Sequence, residues 1–313
     1  MVYELAPGGQ GVVAPLVDGV WIDRALIDSV LEGSEPARVF ADDPGRPRAA
    51  LLCCEALGDY VVAGSVEDGP VRRFIRDLPR EAGVFDRPRF AFFLPRPVWG
   101  DALRDDFGGR VPVFPTRSFR YARGDVDPVA RWRARLALPE AAVRRIDGAL
   151  LGEVGAGTLR IAAGYTVRGQ EGARFPEEEL GEVARDRFGF CAVVGGEVVS
   201  VATAFRLSSR YASVSVDTAA PFRRRGLATL AGAALIGECL VRGVTPLWNC
   251  LAANAGSAGT ALKLGLEEGP PQCESQWRPG WGDVRTTSGR WHREDGGPGV
   301  PPGVLVWRAA APR

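Results

Sequence analysis

Apolar residues in the N-terminal part of the chain form short runs and also recur at the helical period of about 3.6. The short runs and their turn-rich flanks predict strands over residues 37–40, 49–55, 60–63, 90–94 and 110–114. The helical period predicts helices over residues 71–78 and 99–107. This part of the chain therefore combines strands and helices in alternation, which is typical of α/β folds.

The apolar pattern lapses around residues 121–128, where arginine, glycine and aspartate residues follow one another. We interpret the lapse as a boundary between a first domain, residues 1–125, and a second domain, residues 126–313. The second domain is predicted to contain helices over 139–154 and 176–187 and strands over 189–194 and 197–205. Gly195 and Gly196 join those two strands and indicate a hairpin.

A strand, a turn and a helix follow one another between residues 213 and 241. Val214 and Val216 alternate with small or polar residues, as a strand with one buried face requires. After a turn that contains Pro221, apolar residues fall on one face of a predicted helix: Leu227, Leu230, Ala231, Ala234, Leu235 and Cys239. The sequence therefore places a basic turn at the beginning of a helix.

That turn has the chemistry of an anion site. Unpaired N–H groups at a helix N-terminus point outward, and the helix dipole is positive there. Gly226 lets a ligand approach the main chain, and Arg223, Arg224 and Arg225 add positive charge that suits phosphate oxygens. The local sequence thus predicts a turn that can hold a pyrophosphate.

Composition limits the other classes of partner. The chain has 313 residues, of which 39 are basic and 38 acidic, so its formal net charge of +1 gives no overall attraction for nucleic acid. It has no apolar run of the length that crosses a bilayer, and its first residues lack the pattern of a secretory signal. We therefore expect a cytoplasmic protein with no membrane and no nucleic-acid partner.

Cysteine and histidine usage argues against metal-centred and hydrolytic chemistry. The six cysteines show no C-x-x-C spacing and lie mostly in apolar runs: Cys53, Cys54, Cys191, Cys239, Cys250 and Cys273. They are predicted to be reduced core residues, and no metal site is expected. The single histidine, His292, is predicted to lie in a surface loop. Neither a Walker motif nor a G-x-S-x-G elbow is present.

The segment from Arg223 to Ala228 resembles the Q/R-x-x-G-x-G/A motif of the GNAT acetyltransferases. Downstream, Asn254, Ser257 and the Leu264-Gly265-Leu266 phrase are similar to the N-x-x-S ending and L-G-F phrase of that family, with Leu266 in place of phenylalanine. Within the family, Trp248-Asn249-Cys250 and Gly189-Phe190-Cys191 look like zwittermicin-resistance-type acetyltransferases. The resemblance covers about residues 136–268.

The resemblance implies an α/β fold with a mixed α+β sheet, a GNAT fold in the C-terminal half and acetyl-CoA or another acyl-CoA as the cofactor. It also implies three groups of cofactor contacts: Val216, Asp217 and Thr218 to the pantetheine arm; Arg223, Arg224, Arg225, Gly226, Leu227, Ala228 and Thr229 to the pyrophosphate; and Asn254 and Ser257 to the arm from the other side. Two alternatives stay open, since an arginine-rich turn can be a solvated surface and an asparagine before a helix can be a cap.

The usual acid and base of the family are absent. Ser213 stands where many members carry glutamate, and Ala261 stands where many carry tyrosine. Asp217 lies on the same strand face as Ser213 by period-two spacing, so it is the first candidate base, with capping of the turn as its alternative role. Cys250 is a candidate nucleophile or thiol donor, with a structural core role as the alternative.

The two ends of the chain are less informative. The first domain has an element order similar to that of a GNAT domain, but Glu67 and Asp68 follow its third strand where phosphates would need donors. We therefore predict a degenerate GNAT-like domain that shapes the acceptor cleft. The C-terminal segment contains Trp277, Trp281, Trp291 and Trp307 and is predicted to end in a strand over 304–307, its aromatic residues lining an acceptor pocket or packing under a loop.

The leading functional prediction is an enzyme that acylates a small-molecule amine, such as an antibiotic or a natural-product intermediate. A non-catalytic acyl-CoA sensor is the rival, since the usual glutamate and tyrosine are missing. A third alternative keeps the thioester and changes the reaction to hydrolysis, decarboxylation or transfer involving a carrier protein.

Overall fold

The computed structural model describes residues 1–54, 58–67, 69–77, 90–106, 112–122, 128–133, 140–167, 170–174, 177–277, 291–295 and 305–309. The chain divides into two compact units. Unit 1 comprises Met1–Ser118, Leu251–Ala253 and Pro270–Arg313, and unit 2 comprises Phe119–Cys250 and Asn254–Gly269. In the described part, no helix combines the length and the apolar character that a membrane span requires.

The strands are β1 (Val2–Glu4), β2 (Arg38–Ala41), β3 (Ala49–Cys54), β4 (Asp59–Gly64), β5 (Phe90–Leu94), β6 (Val113–Tyr121), β7 (Ala142–Arg145), β8 (Arg160–Ile161), β9 (Gly164–Val167), β10 (Gln170–Arg174), β11 (Gly189–Val194), β12 (Glu197–Leu207), β13 (Tyr211–Thr218), β14 (Thr245–Leu251), β15 (Leu266–Glu268), β16 (Gln272–Trp277), β17 (Trp291–Asp295) and β18 (Leu305–Ala309). The helices are α1 (Arg24–Glu32), α2 (Pro70–Asp77), α3 (Pro97–Asp106), α4 (Pro128–Arg133), α5 (Gly148–Gly155), α6 (Glu177–Asp186), α7 (Leu227–Val241) and α8 (Ala255–Leu264). Two short 3₁₀ helices cover Gln10–Val17 and Ala220–Phe222.

Unit 1 is built on strands that are buried on both faces. In β3, Leu51 packs in one cluster with Phe74 of α2. Leu52, the next residue, packs in a second cluster with Leu26 and Ile27 of α1. Because successive side chains of a strand point to opposite faces, a strand covered on both sides needs the continuous apolar run that β3 has.

Unit 2 has the same layered construction. On one face of its sheet, Val214 of β13 packs in a cluster with Leu235 of α7. On the other face, Val201 of β12 packs with Leu180 and Val183 of α6. The sheet order β14-β13-β12-β11-β7 places β13 between an antiparallel neighbour, β12, and a parallel one, β14.

The two units repeat one order of elements. In unit 1, β2, β3 and β4 pair antiparallel, and β4 then pairs parallel with β5 after the crossover helix α2. In unit 2, β11, β12 and β13 pair antiparallel, and β13 pairs parallel with β14 after the crossover helix α7. β1 pairs antiparallel with β2, as β7 does with β11. The predicted mixed α/β class is confirmed.

The end of the chain is grouped differently from the predicted division at residue 125. The predicted second domain runs to residue 313, whereas the contacts place the residues from Pro270 onward in unit 1. The physical reason is main-chain pairing, because β16 pairs with β5 and β18 pairs with β1. The proposed boundary itself falls on residues 123–127, outside the described residues, and the functions assigned to the two domains stay predictions.

Three local predictions need correction. The helix predicted over 139–154 is wrong in its first half, because 142–145 form β7, which pairs with β11. Helix α5 begins only at Gly148, where the Asp147 carboxylate accepts the Leu150 N–H at 3.0 Å. His292 lies in β17, paired with Arg308 of β18, rather than in a loop. The strand predicted over 110–114 lies later, as β6.

Other predictions about the apolar residues are confirmed. Five of the six cysteines are buried and Cys250 is partly buried. Burial raises the pKa of Cys191 and Cys239 to about 12, so both are neutral thiols at physiological pH. The predicted last strand is β18, which includes Trp307, while Trp281 lies outside the described residues.

Gly64 at the end of β4 provides a test of unit 1. Its φ is +80°, and a Cβ atom there would overlap the main-chain carbonyl of Arg48. Gly33, at the end of α1, has a similar φ of +75° but open space around it. We expect Gly33→Ala to lower the free energy of unfolding by about 1 kcal/mol, the cost of the left-handed conformation.

Gly64→Ala should lower the free energy of unfolding by at least about 3 kcal/mol, since the overlap with main-chain atoms adds to that cost. Denaturant unfolding of the two variants measures the difference directly. Equal losses would contradict the packing described at Gly64.

Candidate functional site

Strands β13 and β14 run together and then separate. Their parallel pairing begins at Tyr211 opposite Thr245 and ends at Val214 opposite Trp248. β13 continues to Thr218, which stays paired with Ser200 of β12 on its other side. Within the described residues 215–218, β13 therefore presents one edge that β14 does not cover. An extended ligand can bind such an edge as an added strand does.

The turn after β13 leads into an uncapped helix. The Arg223 side chain donates from Nε to the Thr218 carbonyl at 3.0 Å and ties the turn to the strand end. Gly226, the residue before α7, has φ +86°, and Arg224 has φ +61°. Among the described residues, no side chain caps the helix at Gly226. The first N–H groups of α7 therefore have no partner within the helix, and Gly226 is exposed.

The charge around that helix end is positive. Arg223, Arg224 and Arg225 are exposed, and the Arg225 guanidinium lies 5.6 Å from the centre of the Phe222 ring. In the part of the chain that the structure describes, neither Arg224 nor Arg225 forms an ion pair with an acidic residue. Uncapped N–H groups, the helix dipole and arginine side chains are the features that suit an anion.

The residues of α8 predicted to contact the cofactor have hydrogen-bond partners within the protein. The Asn254 side-chain oxygen accepts the Ser257 N–H at 3.0 Å, so Asn254 is the N-cap of α8. The Trp248 indole N–H donates to the Ser257 hydroxyl at 2.8 Å. Capping, the alternative role of Asn254, is confirmed, and cofactor contacts of Asn254 and Ser257 stay predictions.

The candidate catalytic residues divide between the two faces of the sheet. Val214 belongs to the hydrophobic cluster that contains Leu235 of α7, and Val216 packs against that cluster. Both side chains therefore point to the face of the sheet that α7 covers, the α7 face. Ser213 and Asp217 alternate with them and point to the opposite face. Cys250 packs against the cluster of the α7 face. The structure therefore brings Ser213 and Asp217 to one face and leaves Cys250 on the other.

Sequence reasoning did not single out Glu179 of α6. Burial raises the pKa of Glu179 above its ordinary value, the negative charges of Glu182 and Asp217 raise it further, and Arg187 opposes them. Asp217 lies directly opposite Val201 on β12, so both side chains point to the face that α6 covers. The available signal was spacing, because Glu179 lies four residues before the buried Val183.

With this geometry established, comparison with known proteins gives one family. The model of the GNAT acetyltransferase family matches residues 14–270. The chain belongs to the GNAT acetyltransferase family. The match extends well beyond residues 136–268, where the motifs lie, and includes most of unit 1. It identifies the protein as an acetyltransferase and supports acyl-CoA-dependent acetyl transfer in general.

Individual relatives agree with this assignment. An uncharacterised N-acetyltransferase of Bacillus subtilis, YdfB, is 26% identical over 243 residues, which cover 77% of this chain and 86% of the relative. A GCN5-related N-acetyltransferase-like protein of Streptococcus suis has a TM-score of 0.58 at 23% identity and covers 87% of this chain and 100% of its own. A tandem GNAT protein from the clavulanic acid biosynthesis pathway has a TM-score of 0.51 at 14% identity. The match covers 90% of this chain and 98% of that protein. The two structures show the shared fold.

The N-cap of α8 can be tested by two substitutions at one position. Asn254→Ala removes the oxygen that accepts the Ser257 N–H and should lower the free energy of unfolding by about 1 kcal/mol. Asn254→Asp keeps an oxygen acceptor and should retain the stability of the unmodified protein. Denaturant unfolding checks both variants, and an equal loss in the two would rule out capping as the role of this side chain.

Proposed function

We propose that unit 2 transfers an acyl group, normally acetyl, from a coenzyme A thioester to the amine of a small molecule. One observation carries the proposal: the edge of β13 that β14 leaves uncovered leads directly into the uncapped, arginine-rich beginning of α7. An acyl-CoA has an extended amide-containing arm and a pyrophosphate, in that order. The thioester supplies the activated acyl carbon.

The residues at the turn fit a pyrophosphate. The N–H groups of Gly226, Leu227, Ala228 and Thr229 lie at the helix beginning, and no side chain competes for them as a cap. Arg223, Arg224 and Arg225 would neutralise the phosphate charge. These seven residues are proposed to hold the pyrophosphate, with the helix dipole adding to the attraction.

The strand end fits the pantetheine arm. Val216, Asp217 and Thr218 lie beyond the last residue of β13 that pairs with β14. Their main chain is proposed to bind the arm, with Asn254 and Ser257 touching it from the other side. Main-chain hydrogen bonds in this position would hold the thioester in one orientation, and positioning of this kind supplies much of the rate in transfer reactions.

Acid and base chemistry is proposed for the opposite face. Asp217 is our candidate base, acting directly or through water. Ser213 lies on the same face of β13. Cys250 is the weaker candidate as a nucleophile, since it packs on the α7 face. The acceptor is proposed to be an antibiotic or a natural-product intermediate with an amine, which rests on the zwittermicin-type motifs alone.

Unit 1 is proposed to be degenerate as a coenzyme A site. In its equivalent turn, Glu67 is exposed and α2 begins at Pro70, which has no N–H to donate. Arg72 is held by the Asp106 carboxylate at 2.8 Å and by the Val66 carbonyl at 3.1 Å. The three arginines proposed to bind the anion in unit 2 thus have no counterparts among residues 64–70 of this turn.

The arginine pair of the turn provides the test. Replacing both Arg224 and Arg225 with glutamine should weaken acetyl-CoA binding at least about tenfold, because charge-assisted hydrogen bonds to phosphate are lost. Isothermal titration with acetyl-CoA at two salt concentrations measures the change. The weakening should be largest at low salt, where phosphate charges are least screened.

Arg242→Gln is the matched control, since it removes one arginine from the other end of α7. Arg242 pairs with Glu238 at 2.8 Å, so its loss should leave acetyl-CoA affinity within about twofold. Equally weakened acetyl-CoA binding in Arg242→Gln would show that the loss reflects the overall charge of the protein and not the turn. An unchanged affinity in the Arg224 and Arg225 variant would contradict the proposed site.

A further inference from the structure

Two buried oxygen atoms on one face of unit 2 have no hydrogen-bond partner among the described residues. Ser213 is fully buried, and its hydroxyl makes no hydrogen bond. The side-chain oxygen of Asn249 is also buried without a partner. Because buried polar atoms in native proteins are nearly always satisfied, two such atoms together indicate a polar ligand. The Asn249 oxygen can only accept a hydrogen bond from it, whereas the Ser213 hydroxyl can accept or donate one.

These two atoms lie on the same face of neighbouring strands. Ser213 of β13 pairs with Leu247 of β14, and paired residues point to the same side of the sheet. Asn249 follows Leu247 by two residues and therefore also points to that side. The strands separate after Val214, so Asn249 lies beside the opening between them.

Two carboxylates extend the row of oxygen atoms. Asp217 points to the same face as Ser213 and lies four residues, about 13 Å, further along β13. Glu179 lies on α6, one helical turn before Val183 and on the same side of the helix. Val183 packs with Val201, the residue of β12 that lies opposite Asp217. Ser213, Asn249, Asp217 and Glu179 thus line one side of the sheet with oxygen atoms.

Two arginines lie near this face. Arg206 lies opposite Ser213, with its guanidinium 5.1 Å from the centre of the Phe205 ring, and burial lowers its pKa to about 9, so it stays positive near that end of the row at neutral pH. The positive charge of Arg187, just after α6, lowers the Glu179 pKa and opposes the negative charges of Glu182 and Asp217. The other elements packed against α6 contribute apolar side chains, such as Leu150 of α5 and Val201 of β12. Among the described side chains, negative charge therefore prevails at the Glu179 and Asp217 end of the row.

We propose that this row of oxygen atoms is the acceptor subsite, that its ligand is a small cationic amine with further N–H or O–H donors, and that Glu179 is a catalytic base. The proposal rests on the proposed function of the preceding subsection. It takes the class of acceptor from the Glu179 and Asp217 end of the row, where a carboxylate or phosphate would face two carboxylates.

The reaction balances without another reactant. The ammonium group of the acceptor gives one proton to the Glu179 carboxylate and becomes a neutral amine. Its nitrogen lone pair attacks the thioester carbonyl carbon, a C–N bond forms and the C–S bond breaks with its electrons on sulfur. The proton that the nitrogen then loses goes to that sulfur, which leaves as a thiol, and Glu179 returns its own proton to solvent.

The two carboxylates have different tasks. Burial raises the pKa of Glu179, which brings it closer to that of an amine and makes it the stronger base when ionised. Asp217 adds negative charge that attracts the cation and raises the Glu179 pKa. We therefore assign proton removal to Glu179 in place of Asp217, the base proposed in the preceding subsection, and we assign to Asp217 the attraction of the acceptor.

Four small amines test the acceptor class with acetyl-CoA at saturation. Putrescine has a second ammonium group, butylamine has none, and γ-aminobutyrate has a carboxylate in its place. Thiol release should give kcat/KM in the order putrescine, butylamine, γ-aminobutyrate, with about tenfold or more between the first and the last. Glucosamine, with several hydroxyl donors, should exceed butylamine.

Glu179→Gln should lower kcat about a hundredfold, the loss expected for a general base, and leave acetyl-CoA affinity unchanged. In the unmodified protein kcat should rise with pH as the Glu179 carboxyl group ionises, and this rise should be absent in Glu179→Gln. Glu182→Gln, three residues further along the same helix and exposed, is the matched control. It should retain activity within about threefold and move that rise to lower pH, because a like charge that raises the Glu179 pKa is removed.

Ser213→Ala separates ligand binding from a structural role. A hydroxyl that supports the fold would lower the melting temperature when removed, whereas an unpartnered one should leave it unchanged or higher. We expect an unchanged or higher melting temperature together with about a tenfold loss of kcat/KM for putrescine.

The outcomes distinguish the subsite from the proposed function. Acetyl-CoA binding together with a preference for γ-aminobutyrate, no turnover of any of the amines, or full activity of Glu179→Gln would overturn the subsite and leave the coenzyme A site standing. Absence of acetyl-CoA binding in the unmodified protein would overturn the proposed function itself.

Discussion

The separation of β13 from β14 is the feature on which the site in unit 2 depends. A strand inside a sheet normally has both edges paired, and β13 keeps its partner β12 to its last residue. On the other side its pairing ends at Val214, although both strands continue. The opening this creates lies directly before the turn at Gly226, whose φ of +86° starts α7 without a side-chain cap. Main-chain groups in two successive places are therefore available to one extended ligand.

The repeat within the chain shows how little of this belongs to the fold itself. Units 1 and 2 share the order of antiparallel strands, crossover helix and parallel strand. The difference lies in the turn before the crossover helix, which contains Glu67 and a helix that begins with Pro70 in one unit and three arginines with Gly226 in the other. The order of elements is thus common to both units, whereas the turns before their crossover helices differ in a few residues that carry the proposed function.

Much of that turn could be predicted from the sequence, because its signals are local. Alternation around Val214, the glycine at 226 and the apolar face of α7 lie within about 30 residues and each reflects one backbone preference. The helix wrongly predicted over 139–154 shows the limit: β7 is a strand because β11 pairs with it, and that partner lies about 45 residues away. The grouping of β16 and β18 with unit 1 has the same cause.

Glu179 escaped prediction for a related reason. A glutamate in an acidic helix normally faces solvent, and only the pairing of Val201 with Asp217 brings a second carboxylate to the face that α6 covers. The unpartnered hydroxyl of Ser213 is likewise a property of three-dimensional packing. Sequence motifs could identify the family and single out the turn at Gly226, whereas the face that carries Ser213 and Asp217 depends on which strands lie side by side.

A crystal structure of the protein with bound coenzyme A would show whether the ligand lies at the opening between β13 and β14. We expect the pyrophosphate against the main-chain N–H groups from Gly226 to Thr229, with the pantetheine arm along Val216 to Thr218. A pyrophosphate bound elsewhere on the chain, or an arm that avoids the edge of β13, would contradict this expectation.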